Sequence, residues 1–347
     1  MNGQLPLPDR TYEGGVLPVN ADRIEKRLAE VWSLATHTNE AGQELVKVCL
    51  ANIVVICDGL TRPEAELLTI EIAREHPSRV ILTVIDEELK SYYSFVRTSC
   101  TRDPDTGIIR CWEIIELVAE TAKVRSIVGA LRSLLVDSVP VVTVDFRPYQ
   151  TTPELDEILV NLSELVLVNA EVVPTSQHEK PFLPLRWYRT LPVRLLIGDL
   201  FSLAGGSRTP TRFTLYSEPG RDTYDDLLAG WLLARLEAKE ISKTPTGVLI
   251  HRAGGDIEIE LREKTAADSS ILAVAFSGEE TRALISAEGK VGSAASAYLL
   301  SYDGHTLTRL AKERSLADYI VGTLQDSSES REYIAVAKAI SRMRSLT

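Results

Sequence analysis

Two kinds of segment alternate through the first half of this 347-residue chain, and together they predict an α/β fold. Residues 49–57 (CLANIVVIC) and 80–85 (VILTVI) are short, apolar and β-branched, the composition of strands buried on both faces. Between them, residues 61–75 carry apolar positions at helical spacing. Strand, helix and strand within about 35 residues form a βαβ unit with parallel strands. Beyond residue 210 the strands come closer together and helices fall mostly at the end. The expected class is therefore a Rossmann-like twisted mixed sheet with flanking helices, followed by a smaller α+β domain.

The elements follow in order. Residues 1–19, with three prolines and three glycines, read as an extended lead-in. Asn20 can cap a helix bearing Ile24, Leu28, Val31 and Trp32 at helical spacing. After the first strand, Thr61 and Glu64 have the spacing of a capping box with Pro63 tolerated in the first turn, and His76-Pro77 stops that helix. Residues 92–102 and 108–118 are β-rich around a turn-rich connector and predict a hairpin. A helix at 121–136, a strand at 139–144, a helix at 153–162 and a strand at 164–169 complete the sheet. The stretch 203–210 (LAGGSRTP) reads as a linker. A strand near 212–217 and a helix at 223–240 follow it, then strands at 246–252, 256–262, 270–276, 281–287 and 295–302. Helices at about 313–324 and 329–345 close the chain. The expected domains are an N-terminal extension and helix (1–45), an α/β domain (46–202) and an α+β domain (211–347).

Charge limits the partners. Forty-nine acidic and 38 basic groups give a net charge of −11. Residues 1–200 hold 29 acidic and 20 basic groups, or −9, so the acidity lies in the N-terminal part. Nucleic acid is not the expected partner, because phosphate binding needs an excess of Lys and Arg. No apolar run reaches the roughly 20 residues of a membrane span. The N-terminus lacks the pattern of a signal peptide, and four cysteines (49, 57, 100, 111) show no CxxC pair. A cytoplasmic location with reduced thiols is expected.

Familiar catalytic patterns are absent. There is no GxxxxGK[ST], GxSxG or HExxH, and the first strand runs into Asp58-Gly59-Leu60 rather than GxGxxG. Neither a metal nor any other cofactor is expected. Five separated histidines have no second ligand at metal spacing, and Asp222, Asp225 and Asp226 suit the first turn of a helix better than a metal cluster.

Two segments stand out. His76-Pro77-Ser78-Arg79 places polar groups where a helix meets a strand; Arg79 or Arg125 could hold an anion there, or the segment is a plain connector. Arg186-Trp187-Tyr188-Arg189, with Arg194, combines the residue types enriched at interface hot spots, and equally suits an anchor in the core.

Taken in order, residues 76–82 (HPSRVIL), 134–142 (LLVDSVPVV) and 185–194 (LRWYRTLPVR) resemble the glucose-6-phosphate dehydrogenase assembly protein family, OpcA. The chain departs from that family's pattern at Thr143-Val144-Asp145-Phe146, where paired tryptophans are usual. The resemblance implies a non-catalytic protein that binds glucose-6-phosphate dehydrogenase and promotes its active oligomer, with Arg186, Trp187, Tyr188, Arg189 and Arg194 as partner-binding residues. His76, Arg79 and Arg125 are further candidates for an anion or interface site. The alternative is a sugar-phosphate- or nucleotide-binding enzyme built on the α/β domain.

Overall fold

The computed structural model describes residues 10–37, 49–88, 90, 92–102, 109–148, 161–170, 182–203, 210–217, 222–253, 255–263, 270–276, 282–291, 295–302, 305–312, 315–325 and 328–346. The chain divides into two units: residues 1–169 with 316–326, and residues 170–315 with 327–347. The sequence-based boundary near 202–211 thus differs from the observed division, and the chain crosses back into the first unit late.

Unit 1 contains β1 (Arg10–Leu17), α1 (Ala21–His37), β2 (Asn52–Cys57), α2 (Arg62–Glu75) and β3 (Arg79–Ile85). The hairpin β4 (Tyr93–Arg102) and β5 (Ile109–Ala119) follows, then α3 (Val124–Leu134), β6 (Val141–Asp145) and β7 (Leu165–Val168). Its strands lie in the order β1-β4-β5-β3-β2-β6-β7. The five from β5 to β7 are parallel, while β4 and β1 add antiparallel edges. Every residue of β2, β3 and β7 is buried, as their β-branched runs predict for strands covered on both faces. In chain order the parallel strands run 3-2-1-4-5, the Rossmann-like order with its topological switch between β2 and β6. The helix Leu316–Gln325 packs against α2 in the same unit.

Two local expectations need correction. The lead-in contains β1, an edge strand with a register shift between Glu13 and Val16, where Gly15 takes φ +73°. At α2, the Thr61 side chain makes no capping bond. Asp58 instead orders the turn ahead of α2, since its Oδ1 accepts from Leu60 N at 3.0 Å and from Thr61 N and Oγ1 at 2.8 Å. The expected helix at 153–162 and the linker at 203–210 fall mainly outside the described residues.

Unit 2 begins with β8 (Phe182–Pro184), a 3-10 segment Leu185–Thr190 and α4 (Leu191–Leu203). Next come β9 (Pro210–Ser217), α5 (Asp222–Arg235), β10 (Glu240–Thr244), β11 (Gly247–His251), β12 (Ile257–Glu263) and β13 (Ser270–Phe276). The strands β14 (Arg282–Val291), β15 (Ala295–Tyr302) and β16 (His305–Lys312) follow. Counting Leu316–Gln325 as α6, the last helix is α7 (Ser328–Arg344). The eight strands β9–β16 form one sheet, ordered β10-β11-β12-β9-β13-β14-β15-β16. Only the β12–β9 pair is parallel among these strands. The helix α5 lies against β9 and α7 against α5. That last packing is close: a Cβ on Gly230 of α5 would overlap Ile340 and Val336 of α7.

Candidate functional site

Each motif residue has a definite place. Arg79 opens β3, at the amino edge of the parallel strands, and is 4% exposed. Its Nε donates to Glu113 Oε1 of β5, and its Nη1 to Glu25 Oε1 of α1 and to the Leu134 carbonyl ending α3. The indole of Trp32 donates to the other Glu113 oxygen at 2.9 Å. Asn52, opening β2, closes the same edge through two 2.9 Å bonds to the backbone of Val136. The HPSR and LLVDSVPVV segments therefore meet in one buried node that ties two helices to the sheet. Burial works to lower the Arg79 pKa, but Glu113 and Glu25 outweigh it, and the guanidinium is held charged.

This placement removes Arg79 from the anion-site expectation made for His76, Arg79 and Arg125. Arg79 is consumed by the node. The Nδ1 of half-buried His76 has no hydrogen-bond partner, and burial pushes this imidazole below its ordinary value. Arg125 is exposed in the first turn of α3, which leaves the carboxyl edge of the sheet, so it does not join Arg79.

The second segment divides in the same way. Trp187 is fully buried, meets Tyr333 of α7 edge-on at 5.5 Å, and carries the Arg194 guanidinium 3.9 Å above its ring. Arg194 is 5% exposed and donates to Glu332 at 2.6 Å. Both are buried in the core of unit 2, as the core-anchor reading of this segment expects and the partner-binding reading of these two residues does not. Arg186 and Arg189 are exposed, with Arg189 5.9 Å from the ring of half-buried Tyr188.

The carboxyl edge at the β2–β6 switch is where this fold type takes a dinucleotide. The residues here do not fit one. Counting from Gly59, Thr61 stands where the second glycine of a GxGxxG loop permits close approach to a pyrophosphate, and Glu64 where the third permits close packing of helix on strand. The carboxylate of Asp58 sits in the turn ahead of α2, where it accepts from the Leu60 and Thr61 amides, and its negative charge opposes a pyrophosphate there. Burial works to raise the Asp58 pKa, but the Thr61 and Leu60 donors outweigh it, leaving a carboxyl below its usual range and therefore anionic. Gly59 is pressed against Asp86, the residue after β3, so the turn is closed from that side as well.

A different cleft lies between α2 and the sheet. On α2, Arg62, Glu66, Thr69 and Ile70 share one helix face through their i, i+4, i+7 and i+8 spacing. On the sheet, Leu82 of β3 stands in register with Glu116 of β5, and Glu116 with Phe95 of β4. In the next row on that face Ile114 is opposite Arg97. These nine residues line a cavity of about 110 Å³. Arg62 donates to Glu66 at 2.6 Å and to Glu116 at 2.8 Å. Burial raises the Glu116 pKa, while Arg62 and Arg97 pull it down without cancelling the rise. A half-buried carboxyl with a raised pKa, flanked by two guanidinium groups in a cleft, is an arrangement suited to binding and proton exchange.

Sequence reasoning missed Arg97 and Glu116, which lie on hairpin strands where alternating polar residues resemble a solvent face. Other candidates stay structural. Cys57 is buried and its thiol is pushed up to about 12, mainly by burial. Asp226 pairs with Arg344 at 2.8 Å. No cluster of three metal-ligating side chains occurs among the described residues. Among them, too, no helix is long and apolar enough to cross a membrane.

No family model and no curated protein matches the chain. It is similar to two solved structures of KijD10, a 3-ketoreductase from Actinomadura kijaniata. One holds TDP-benzene and NADP in an open conformation, with 11% identity over 86% of this chain and 97% of that one, and a TM-score of 0.43. The other holds NADP, with the same identity and coverage and a TM-score of 0.44. These neighbours are an enzyme, and neither is an assembly or activator protein; the expectation of a non-catalytic activator of glucose-6-phosphate dehydrogenase is corrected on that finding. A likeness this distant transfers no activity or cofactor to this chain.

Proposed function

We propose that the chain is a sugar-phosphate-binding enzyme whose ligand enters the α2–sheet cleft of unit 1. The observation that carries this reading is the mixed lining, in which the donors and acceptors Arg62, Arg97, Glu66 and Glu116 stand beside the apolar Leu82, Phe95 and Ile114. Hydroxyl groups both donate and accept, so a polyhydroxylated chain satisfies such a lining, and the guanidinium groups suit a phosphate end. Glu116 is the acid–base group in this reading, because burial keeps its carboxyl closer to neutrality than an exposed one. At about 110 Å³ the cavity is below the roughly 300–1,000 Å³ of pockets for larger ligands, which argues for a short sugar phosphate over a nucleotide. Sugar phosphates should raise the melting temperature of the wild-type protein and not of Arg97→Ala. No shift across a panel of three- to six-carbon sugar phosphates would overturn the proposal.

We also propose membership of the glucose-6-phosphate dehydrogenase assembly protein family, with the dehydrogenase as a binding partner and the cytoplasm as location. What supports this is that two of the three ordered motifs converge on the Arg79–Leu134 node while Arg186 and Arg189 remain exposed. Co-elution of the chain with that dehydrogenase on size exclusion is the expected result; separate elution at micromolar concentrations of both would remove it.

A further inference from the structure

We propose that unit 2 carries an ester-hydrolysing site on the hairpin at the outer edge of its sheet, with Ser242 as nucleophile, His251 as base and Asp256 as the group that orients the base. Ser242 Oγ lies 2.9 Å from His251 Nε2, and Asp256 Oδ2 lies 3.3 Å from Nδ1 of the same ring. A carboxylate beside Nδ1 favours the tautomer with its proton there, so Nε2 accepts from the Ser242 hydroxyl. Nucleophile, base and orienting acid thus stand in the order that acyl transfer requires. The site uses no residue of the unit 1 cleft.

Three consecutive strands hold this order. Ser242 is on β10, His251 ends β11 and Asp256 directly precedes β12. Glu240 pairs with His251 and Ser242 with Leu249, so the period of two puts Ser242 and His251 on one face of the sheet. The buried side chains of Val248 and Ile250 fix β11 from the opposite face. Gly255 N donates to the Arg252 carbonyl at 3.1 Å and Gly255 takes φ +112°, a turn that brings Asp256 back to the imidazole. The His251 and Asp256 side chains are 40% and 48% exposed, so a substrate reaches the hydroxyl without any element moving. Among the described strands β10 has only β11 beside it. Alternate amides of β10 therefore point away from the ladder, where an oxyanion formed at Ser242 can accept from them. Half-buried Leu249, opposite Ser242, offers apolar surface to a short acyl chain. Glu240 and Asp256 flank the imidazole, which favours neutral esters over anionic ones. In the reaction, Ser242 Oγ bonds to the ester carbonyl carbon as its proton passes to Nε2. The carbon–oxygen bond to the alcohol breaks, and the alcohol leaves with that proton. Water, giving a proton to the same nitrogen, then adds to the acyl-serine, releasing the carboxylic acid and returning the proton to Ser242 Oγ.

The test is hydrolysis of p-nitrophenyl acetate and butyrate by the full chain, with a fluorophosphonate probe to trap the nucleophile. Expected are saturable turnover and a phosphonyl adduct on Ser242, located by peptide mass spectrometry. Ser242→Ala and His251→Gln should each lower kcat/KM by about 100-fold. The melting temperature should not change, because none of the three residues is buried. Asp256→Asn should lower kcat while KM stays within about twofold, the mark of a group that acts through the base. His305→Ala removes another exposed imidazole of unit 2 and should turn over as the wild type does. No hydrolysis above the buffer rate, or hydrolysis that survives Ser242→Ala, would overturn the proposal. An adduct on any residue other than Ser242 would overturn it equally.

Discussion

Arg79 shows how a single side chain can look like a ligand-binding group in sequence and act as a bolt in the fold. Its guanidinium satisfies Glu113, Glu25 and the Leu134 carbonyl at once, and only 4% of the residue reaches solvent. Removing it leaves Glu113, itself 3% exposed, with the Trp32 indole as its remaining side-chain donor among the bonds described above. Arg79→Ala should therefore cost about 3–5 kcal/mol of stability, read as a shift in the urea midpoint. A loss below about 0.5 kcal/mol would contradict the role of the node. Glu116 presents the opposite case. Its folded pKa is raised by burial above the ordinary 4.5, so the native state binds the proton more tightly than the unfolded one. The associated stability is present below pH 4.5 and is lost as pH rises through the folded value. In Glu116→Gln that decline with pH should flatten; an unchanged pH profile would place the carboxyl in an ordinary solvated setting.

At the scale of elements, what could be read from sequence depended on how completely an element is buried. The strands β2, β3 and β7 were legible because both faces are covered, which leaves an uninterrupted apolar run. The edge strands β1 and β10 were not: β10 holds only exposed and half-buried positions, a pattern shared with loops. The helix Leu316–Gln325 was legible as a helix but not as part of unit 1, because chain adjacency carries no information about which core an amphipathic face joins. Site residues followed the same logic. Arg97 and Glu116 share a face only through the register of β3, β5 and β4, and that register is a property of the folded sheet. Close packing of α5 on α7 hinges on Gly230, where any Cβ meets the β-branched side chains of Ile340 and Val336. Gly230→Ala should destabilise by about 1–3 kcal/mol despite its better helix propensity. A stabilised variant in thermal unfolding would show that the helices can separate at little cost.

For the whole molecule, the acidity noted in the sequence takes on a structural meaning. The N-terminal part holds −9 of the −11 charges, and within it Asp58 binds the Leu60 and Thr61 amides of the β2–α2 turn while Asp86 crowds Gly59. The fold is Rossmann-like in strand order, yet its switch point offers carboxylates to a polyanion. NADPH fluorescence should accordingly show no saturable binding to the wild-type chain, and binding at tens of micromolar would refute the closed-turn reading. The proposed function rests on the α2–sheet cleft, where Arg62 and Arg97 face Glu66 and Glu116 beside apolar lining residues. The most direct measurement is a calorimetric titration of the full chain with sugar phosphates, the corresponding free sugars and inorganic phosphate. The account predicts saturable heat with a sugar phosphate, loss of that heat in Arg97→Ala, and a pH-dependent affinity that Glu116→Gln removes. Titrations without saturable heat for any sugar phosphate, or heat indifferent to Arg97, would contradict it.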